Sequence, residues 1–337
     1  MKKQVKVGVA VIGCGRVGKT HIEAIRELED IAVLAAVVDA DKNLASGTGR
    51  NYSVKFYTRT QEAFQDPQID AVAVCLPHHL HTPVAMEALG SGKHVIVEKP
   101  FALSVAEAKR MIQTANQKNL LITAGQSYRF FSGLQEVKNT LRSEIGDPFN
   151  MLYTLALRFD KNKAPGWWKD EEKTGGLVFP MLGSHSVDAV LWFFEGKTPE
   201  RVYAQASSHN PDFEGPDEAT IFIRFKDGAM ATNYLSLNTS PSKEEGMIVG
   251  PKGRIHFRHG DTSEGLVGNA SIEVMVGDRV VVNASQKGNN ITLEEKNFIE
   301  SIRGNAEPAV KPEEIILQMK IIEAAKKSAE TGHSVEI

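Results

Sequence analysis

Lys99 closes the apolar run His94-Val95-Ile96-Val97 as the middle residue of Glu98-Lys99-Pro100, and Gly13-Cys14-Gly15-Arg16-Val17-Gly18 lies far upstream. Glycines in a G-x-G-x-x-G loop between a strand and a helix let backbone approach a pyrophosphate at the helix N-terminus. Gly13, Gly15, Arg16, Val17 and Gly18 are therefore candidate dinucleotide contacts; the alternative is a tight structural turn. An ammonium beside a nicotinamide and a substrate hydroxyl can hydrogen-bond the oxygen and help move its proton, and a cationic ring nearby favours the neutral amine. Lys99 fits that task if it stands at the cofactor edge, and is otherwise a surface charge.

Asp39 follows the glycine loop by about 20 residues, where a carboxylate can accept hydrogen bonds from both ribose hydroxyls and repel a 2'-phosphate. NAD is thus favoured over NADP. Asp41 adds negative charge nearby, while Arg16 and Lys42 leave NADP possible. His78, His79 and His81 sit within four loop residues without a cysteine or acid partner, a spacing that does not prescribe zinc, so no metal site is expected. The Leu76-Pro77-His78 segment and His81 are read instead as lining the cofactor crevice, or as capping and packing groups.

Further along, His185 and Asp188 are three apart on an expected helix and can share a face toward a cleft. A histidine exchanges a proton near neutral pH, although His185 alone would also suit a structural role. Trp167 and Trp168, in a loop near Asp160, Lys161 and Lys169, can stack on a sugar ring or anchor the loop to the core.

These groups need elements to hold them. Residues 1–124 alternate short apolar runs with amphipathic segments, the pattern of βαβ units, with strands expected at 5–12, 31–38, 54–57, 71–76, 94–98 and 120–124. Thr82-Pro83 predicts a helix N-cap with proline behind it, and Ser104-Val105-Ala106-Glu107 predicts a capping box. In a doubly wound parallel sheet the residues after the strands collect on one edge, where ligands bind. That edge would gather the glycine loop, Asp39, Leu76-Pro77-His78, Glu98-Lys99-Pro100 and Gly125-Gln126.

From residue 125 the texture changes to alternating strands, for example 151–159, 219–225, 229–237 and 279–282, with helices at about 183–194 and 312–330. The pattern predicts an α+β second domain, residues 125–337, with an open, mainly antiparallel sheet. At 337 residues two domains are the ordinary outcome, and 42% apolar, 24% charged residues and a net charge of -3 point away from a nucleic-acid partner. Cys14 and Cys75 offer no disulfide framework, which suits a reducing compartment. Met1-Lys2-Lys3 opens a first strand rather than a leader, and no apolar stretch approaches the roughly 20 residues of a membrane span. A cytoplasmic protein without a membrane partner is expected.

Gly13-x-Gly15-x-x-Gly18-x-x-His21, Pro77 to His81, Gly92 through Glu98-Lys99-Pro100, and Tyr128-Arg129-Phe130 together resemble the Gfo/Idh/MocA oxidoreductases. So do Gly175-Gly176, Gly183-Ser184-His185-x-x-Asp188, Gly250-x-x-Gly253 and Ser328-Ala329-x-Thr331-Gly332. The resemblance spans nearly the whole chain, with Glu-Lys-Pro its most specific part. It implies an N-terminal Rossmann domain and a C-terminal α/β domain whose open sheet mediates homodimers or homotetramers. It also implies NAD or NADP as cofactor and a sugar, cyclitol or related polyol as substrate.

Carried over by motif, Lys99 assists catalysis and His185 acts as general base on the substrate hydroxyl. Glu98 and Lys99 join the cofactor contacts. Lys99, Tyr128, Arg129, Trp167, Trp168, Met181, His185 and Asp188 face substrate. Met181 departs from the pattern, because many such dehydrogenases carry an aspartate four residues before the histidine and a thioether cannot orient an imidazole or take a proton. Either His185 and Lys99 suffice, or Asp188 or a substrate group substitutes, or activity is impaired. The leading expectation is NAD-linked oxidation of a secondary alcohol. The alternatives are an NAD-dependent glycosidase or lyase acting through transient oxidation, and a non-catalytic NAD-binding sensor.

Overall fold

The computed structural model describes residues 6–158, 165–259, 271–276, 279–285 and 290–337, and the chain forms two compact units. The first unit comprises Met1–Ser127 with Asn289–Ile316, and the second Tyr128–Gly288 with Leu317–Ile337.

In the first unit the apolar runs become β1 (Val7–Ile12), β2 (Ala32–Val38), β3 (Lys55–Tyr57), β4 (Ala71–Val74), β5 (His94–Glu98) and β6 (Ile122–Gly125). All pair in parallel, in the order β3-β2-β1-β4-β5-β6. Every residue of β1 and β4 is buried, which is why these strands read as continuous apolar runs rather than alternating ones. The connections are α1 (Arg16–Glu27), α2 (Lys42–Tyr52), α3 (Thr60–Phe64), α4 (His81–Gly90) and α5 (Val105–Gln117). A returning helix, Asn290–Ile302, packs on α1 and puts Phe298 and Ile299 into the same core as Val9, Val11 and Ile22. Its strand-free amphipathic sequence carries no local mark of that return.

Two helix starts differ from expectation in detail. Thr82 is not a cap: α4 is entered directly from a 3-10 turn over His78–Leu80, and the Thr82 hydroxyl donates to Glu107 Oε2 at 3.0 Å. Ser104 does cap α5, its Oγ accepting from the Glu107 N–H at 3.2 Å. Glu107 reaches back to the N–H of Leu103, at 3.1 Å, one residue before the cap.

The second unit is built on β7 (Asn150–Arg158), β8 (Pro199–Ser207), β9 (Glu218–Phe225), β10 (Met230–Ser236), β11 (Asn238–Gly250), β12 (Gly253–His259), β13 (Ser271–Val276), β14 (Arg279–Ser285) and β15 (Val335–Glu336). Its sheet is mixed: β7 and β10 run parallel, and the other described pairs are antiparallel. Its helices are α6 (Ser132–Thr140), α7 (Glu171–Thr174), α8 (Ser184–Phe193) and, after the returning helix α9, most of α10 (Pro312–Thr331). One sheet face is covered, with Tyr153, Leu155, Ile221, Ile223 and Leu235 in a core shared with α8. Leu152, Tyr203 and Tyr234, at alternate strand positions, are 38–48% exposed, so the sheet is open on its other side. The Ser328 hydroxyl ties α10 to β8 by accepting from the Ala204 N–H at 2.9 Å.

Within Glu171–Phe193 the most apolar 18-residue window has mean hydropathy 1.2 and is 94% buried, although positive-φ backbone at Gly175, Gly176 and Leu177 separates α7 from the turn that leads into α8. By length and composition this window is more apolar than the sequence reading allowed, and its burial makes it part of the core of the second unit.

Candidate active site

The parallel strands of the first unit bring the chemistry-bearing segments to one edge. The glycine loop shows three different reasons for glycine. A Cβ on Gly13, whose φ is +102°, would lie 2.3 Å from the Cys75 carbonyl oxygen, and one on Gly18 would lie 1.8 Å from that of Gly13. Gly15 is different, because a Cβ there meets nothing within 4 Å. Gly15 is also the N-cap of α1 and gives that helix no side-chain cap, leaving the N–H groups of Arg16, Val17 and Gly18 to an external acceptor. Open space before an uncapped helix N-terminus fits a dinucleotide pyrophosphate.

Asp39 follows β2 and secures the loop as well as facing it: Oδ2 accepts from the Cys14 N–H and Oδ1 from the Asp41 N–H, both at 2.9 Å. An ionised carboxylate has about four acceptor positions, so two bonds leave room for ribose hydroxyls. Asp41 is the cap of α2, accepting from the N–H groups of Asn43 and Leu44 at 2.8 and 3.2 Å, rather than a loose charge beside the nucleotide. At the end of β6 the Gln126 side chain is 1% exposed and neither amide atom has a protein partner. A bound group at this edge would supply one.

The Leu76–His81 and Glu98–Pro100 segments are pinned together. His81 is fully buried, with Nδ1 2.8 Å from the Pro100 carbonyl and Nε2 2.7 Å from the Leu76 carbonyl. Burial pushes its pKa down, against the pull of those two carbonyls. His78 is buried too, its ring centroid 5.8 Å from that of His81. The Lys99–Pro100 peptide is cis. Burial lowers the Lys99 pKa, Glu98 acting against this and Arg16 with it.

Glu98 leads into a cluster that sequence reasoning only half found. Its Oε1 lies 3.0 Å from His21 Nε2, and His21 Nδ1 lies 2.6 Å from Glu295 Oε1. Burial disfavours charge on His21, yet Cys75 and the carboxylates of Glu295 and Glu98 outweigh it and hold the imidazole well above its usual range. Burial raises the Cys75 pKa, so Cys75 stands beside His21 as a thiol, with the two carboxylates on the ring nitrogens. Ligand atoms of His21, Glu98 and Glu294 also lie within 4.8 Å of one another. His21 belongs to a legible motif, but Glu295 lies 274 residues away on α9 and nothing in the sequence marks it.

The second unit holds its own cluster. His185 opens α8 and is 9% exposed; its imidazole stacks on Tyr128, with centroids 4.1 Å apart and planes 16° apart. Asp188 on the same helix is held by Arg129 through Nε–Oδ2 and Nη2–Oδ1 contacts of 2.9 and 2.8 Å. Both partners are at least 96% buried, so the Asp188 carboxylate is engaged by a buried guanidinium. Met181 is 3% exposed within the apolar core, in a π-helical turn over Phe179–Gly183 that leads into α8. Tyr153 donates to Glu244, both buried, a pairing between β7 and β11 that the sequence did not reveal. Burial and the Glu244 carboxylate keep Tyr128 a neutral phenol, its pKa well raised.

Trp167 and Trp168 lie in a 3-10 turn, Gly166–Lys169, edge to face at 6.0 Å, and Trp168 packs on the core of the unit. Trp168 therefore anchors the turn. Asp160 and Lys161 lie outside the described residues.

A doubly wound parallel sheet with this glycine loop, carrying a strand-end lysine and followed by a second α+β unit, defines a dinucleotide-dependent oxidoreductase. Residues 7–126 match the family model described as "Oxidoreductase family, NAD-binding Rossmann fold", and residues 138–337 match "Oxidoreductase family, C-terminal alpha/beta domain". The chain belongs to the Gfo/Idh/MocA oxidoreductase family.

It is 27% identical over 337 residues to myo-inositol 2-dehydrogenase of Thermotoga maritima, covering 98% of each chain. Among solved structures it is similar to the WlbA dehydrogenase of Bordetella pertussis in complex with NADH and UDP-GlcNAcA, at 23% identity, 99% coverage of each chain and a TM-score of 0.84. It is also similar to aldose-aldose oxidoreductase of Caulobacter crescentus complexed with glycerol, at 23% identity, TM-score 0.86, and 99% and 100% coverage. These two structures share the fold.

Proposed function

We propose that this oxidoreductase oxidises a secondary alcohol of a sugar, sugar derivative or cyclitol with NAD, reversibly. The observation that carries the reading is Lys99, a partly buried amine at the end of β5, on the same sheet edge as the open, uncapped glycine loop. Full-length similarity to a myo-inositol dehydrogenase supports the substrate class.

Bound NAD supplies the hydride acceptor. Gly13 to Gly18 hold the pyrophosphate and Asp39 the ribose hydroxyls, while Leu76, Pro77 and His78 line the edge, braced by His81. Lys99 donates a hydrogen bond to the reacting oxygen and stabilises negative charge developing there. His185, as neutral imidazole, takes the hydroxyl proton on a ring nitrogen. Tyr128 holds the plane of that ring, and Arg129 with Asp188 fixes the helix carrying it. Trp167 lies against substrate.

The open sheet face with Leu152, Tyr203 and Tyr234 supports assembly as a homodimer or homotetramer. Two free cysteines support a cytoplasmic location. A second reading keeps the fold and changes the chemistry, an NAD-dependent glycosidase or lyase acting through transient oxidation, while Met181 standing where an aspartate is usual motivates a third, a non-catalytic NAD-binding sensor. Matched NAD and NADP titrations by fluorescence, followed by a sugar and polyol panel with the preferred nucleotide, test the proposal. NADH release on the panel is expected; aryl-glycoside cleavage without NADH release would transfer the assignment to the second reading.

A further inference from the structure

The residues on either side of Lys99 are each gripped by a buried histidine. On one side His21 Nε2 meets Glu98 Oε1 at 3.0 Å, and on the other His81 Nδ1 meets the Pro100 carbonyl at 2.8 Å. Glu98 turns its second oxygen, Oε2, onto the N–H of Lys99 itself at 3.0 Å. Behind His21, Glu295 closes the row with Oε1 2.6 Å from Nδ1.

Two carboxylates on opposite nitrogens of one imidazole are satisfied together only when both nitrogens carry protons. The row is then Glu295⁻, His21⁺, Glu98⁻, with Lys99 next. We propose that His21 is a positioning residue for Lys99: as a buried imidazolium braced by Glu295, it keeps Glu98 ionised and fixed against the Lys99 backbone, and Glu98 in turn sets the charge state of the Lys99 amine.

The inference rests on Lys99 being the working amine. Its physical basis is the opposition of burial and charge. Burial drives Lys99 toward the neutral amine, and Arg16 adds to that drive, whereas the Glu98 carboxylate opposes it; His81, its own pKa lowered by burial, faces the segment as a neutral imidazole. Glu98, largely but not fully buried, stays ionised because His21, and to a lesser degree Lys99, oppose the cost of desolvation. Cys75, a thiol, and Glu294 complete the groups around His21. Replacing His21 by a neutral residue removes the cation that supports Glu98, so Glu98 takes a proton and Lys99 loses its anion. Replacing Glu98 by glutamine removes that anion directly. Both changes must shift Lys99 the same way, toward a lower pKa. A role confined to packing would lower stability without moving it.

The test is competitive acetylation of the intact protein with limiting acetic anhydride across pH, with Lys99 labelling read by mass spectrometry in wild type, Glu98→Gln and His21→Gln, each checked for cooperative melting. The readout needs no turnover, so it stands apart from any failure of the dehydrogenase reading. In Glu98→Gln the Lys99 titration should move down by about one unit, labelling about tenfold faster on the rising limb. His21→Gln should move it in the same direction. Should His21→Gln not fold, nitrogen-15 NMR of the wild-type histidines replaces it, with both His21 nitrogens protonated at neutral pH. An unchanged or raised Lys99 pKa in folded Glu98→Gln, or a singly protonated His21, would overturn the proposal.

Discussion

The Tyr128 ring lies flat on the His185 imidazole, 4.1 Å between centroids and 16° between planes. With Met181 packed in the apolar core four residues before the histidine, no carboxylate from that position orients the imidazole. Stacking on Tyr128 fixes the ring plane instead.

Replacing Tyr128 should separate stacking from hydroxyl chemistry. Tyr128→Phe keeps the ring and is expected to retain turnover within about threefold, whereas Tyr128→Ala frees the imidazole and should cost about tenfold or more in kcat. Steady-state kinetics on the best panel substrate decide between them; equal losses would mean that the hydroxyl, not the plane, matters.

The Arg129–Asp188 pair gives a stability prediction. Asp188→Asn leaves a guanidinium buried without its anion and should destabilise the second unit by about 3–5 kcal/mol in urea melts. The double change Arg129→Met with Asp188→Leu should recover much of that loss. If Asp188→Asn melts like wild type, the pair is not buried as described.

Glycine replacements should divide by cause. Gly13→Ala and Gly18→Ala place a methyl against backbone and are expected to impair folding. Gly15→Ala meets no protein atom, so it should melt near wild type yet bind NAD about tenfold more weakly or worse, because the methyl stands where phosphate approaches. Melting curves paired with NAD titrations check both halves.

The His21 row makes stability depend on pH. Its folded pKa is raised, so the stability it contributes is complete below the unfolded value of about 6.5 and is lost as pH rises through the folded value. The gap between wild type and His21→Gln should therefore be widest near pH 6 and shrink toward alkaline pH. Chemical denaturation at a series of pH values measures it; a gap growing with pH would contradict a charged His21.

The parts of this molecule that were legible in sequence are those where local pattern and chemistry coincide. The glycine loop, Asp39 and Lys99 each follow a strand with a continuous apolar run, so their common edge follows from parallel pairing alone. What escaped depends on long-range closure. Glu295 meets His21 across 274 residues, and Arg129 meets Asp188 across 59, in pairings that no periodicity encodes. Thr82 looked like a cap because its side chain can be one, but the preceding 3-10 turn starts the helix first and frees its hydroxyl for Glu107. The parallel β7–β10 pair was equally invisible, since alternation reports which face is buried and not strand direction.

The central claim is hydride transfer from a carbinol carbon with Lys99 engaged on its oxygen. The direct measurement is isotopic: the best panel substrate, deuterated at the carbinol carbon, is incubated with NAD and the protein, and the nicotinamide C4 of the product is examined by NMR. The account predicts deuterium at C4 of NADH with wild type and little NADH with folded Lys99→Met. NADH lacking the label, or undiminished transfer by Lys99→Met, would contradict it.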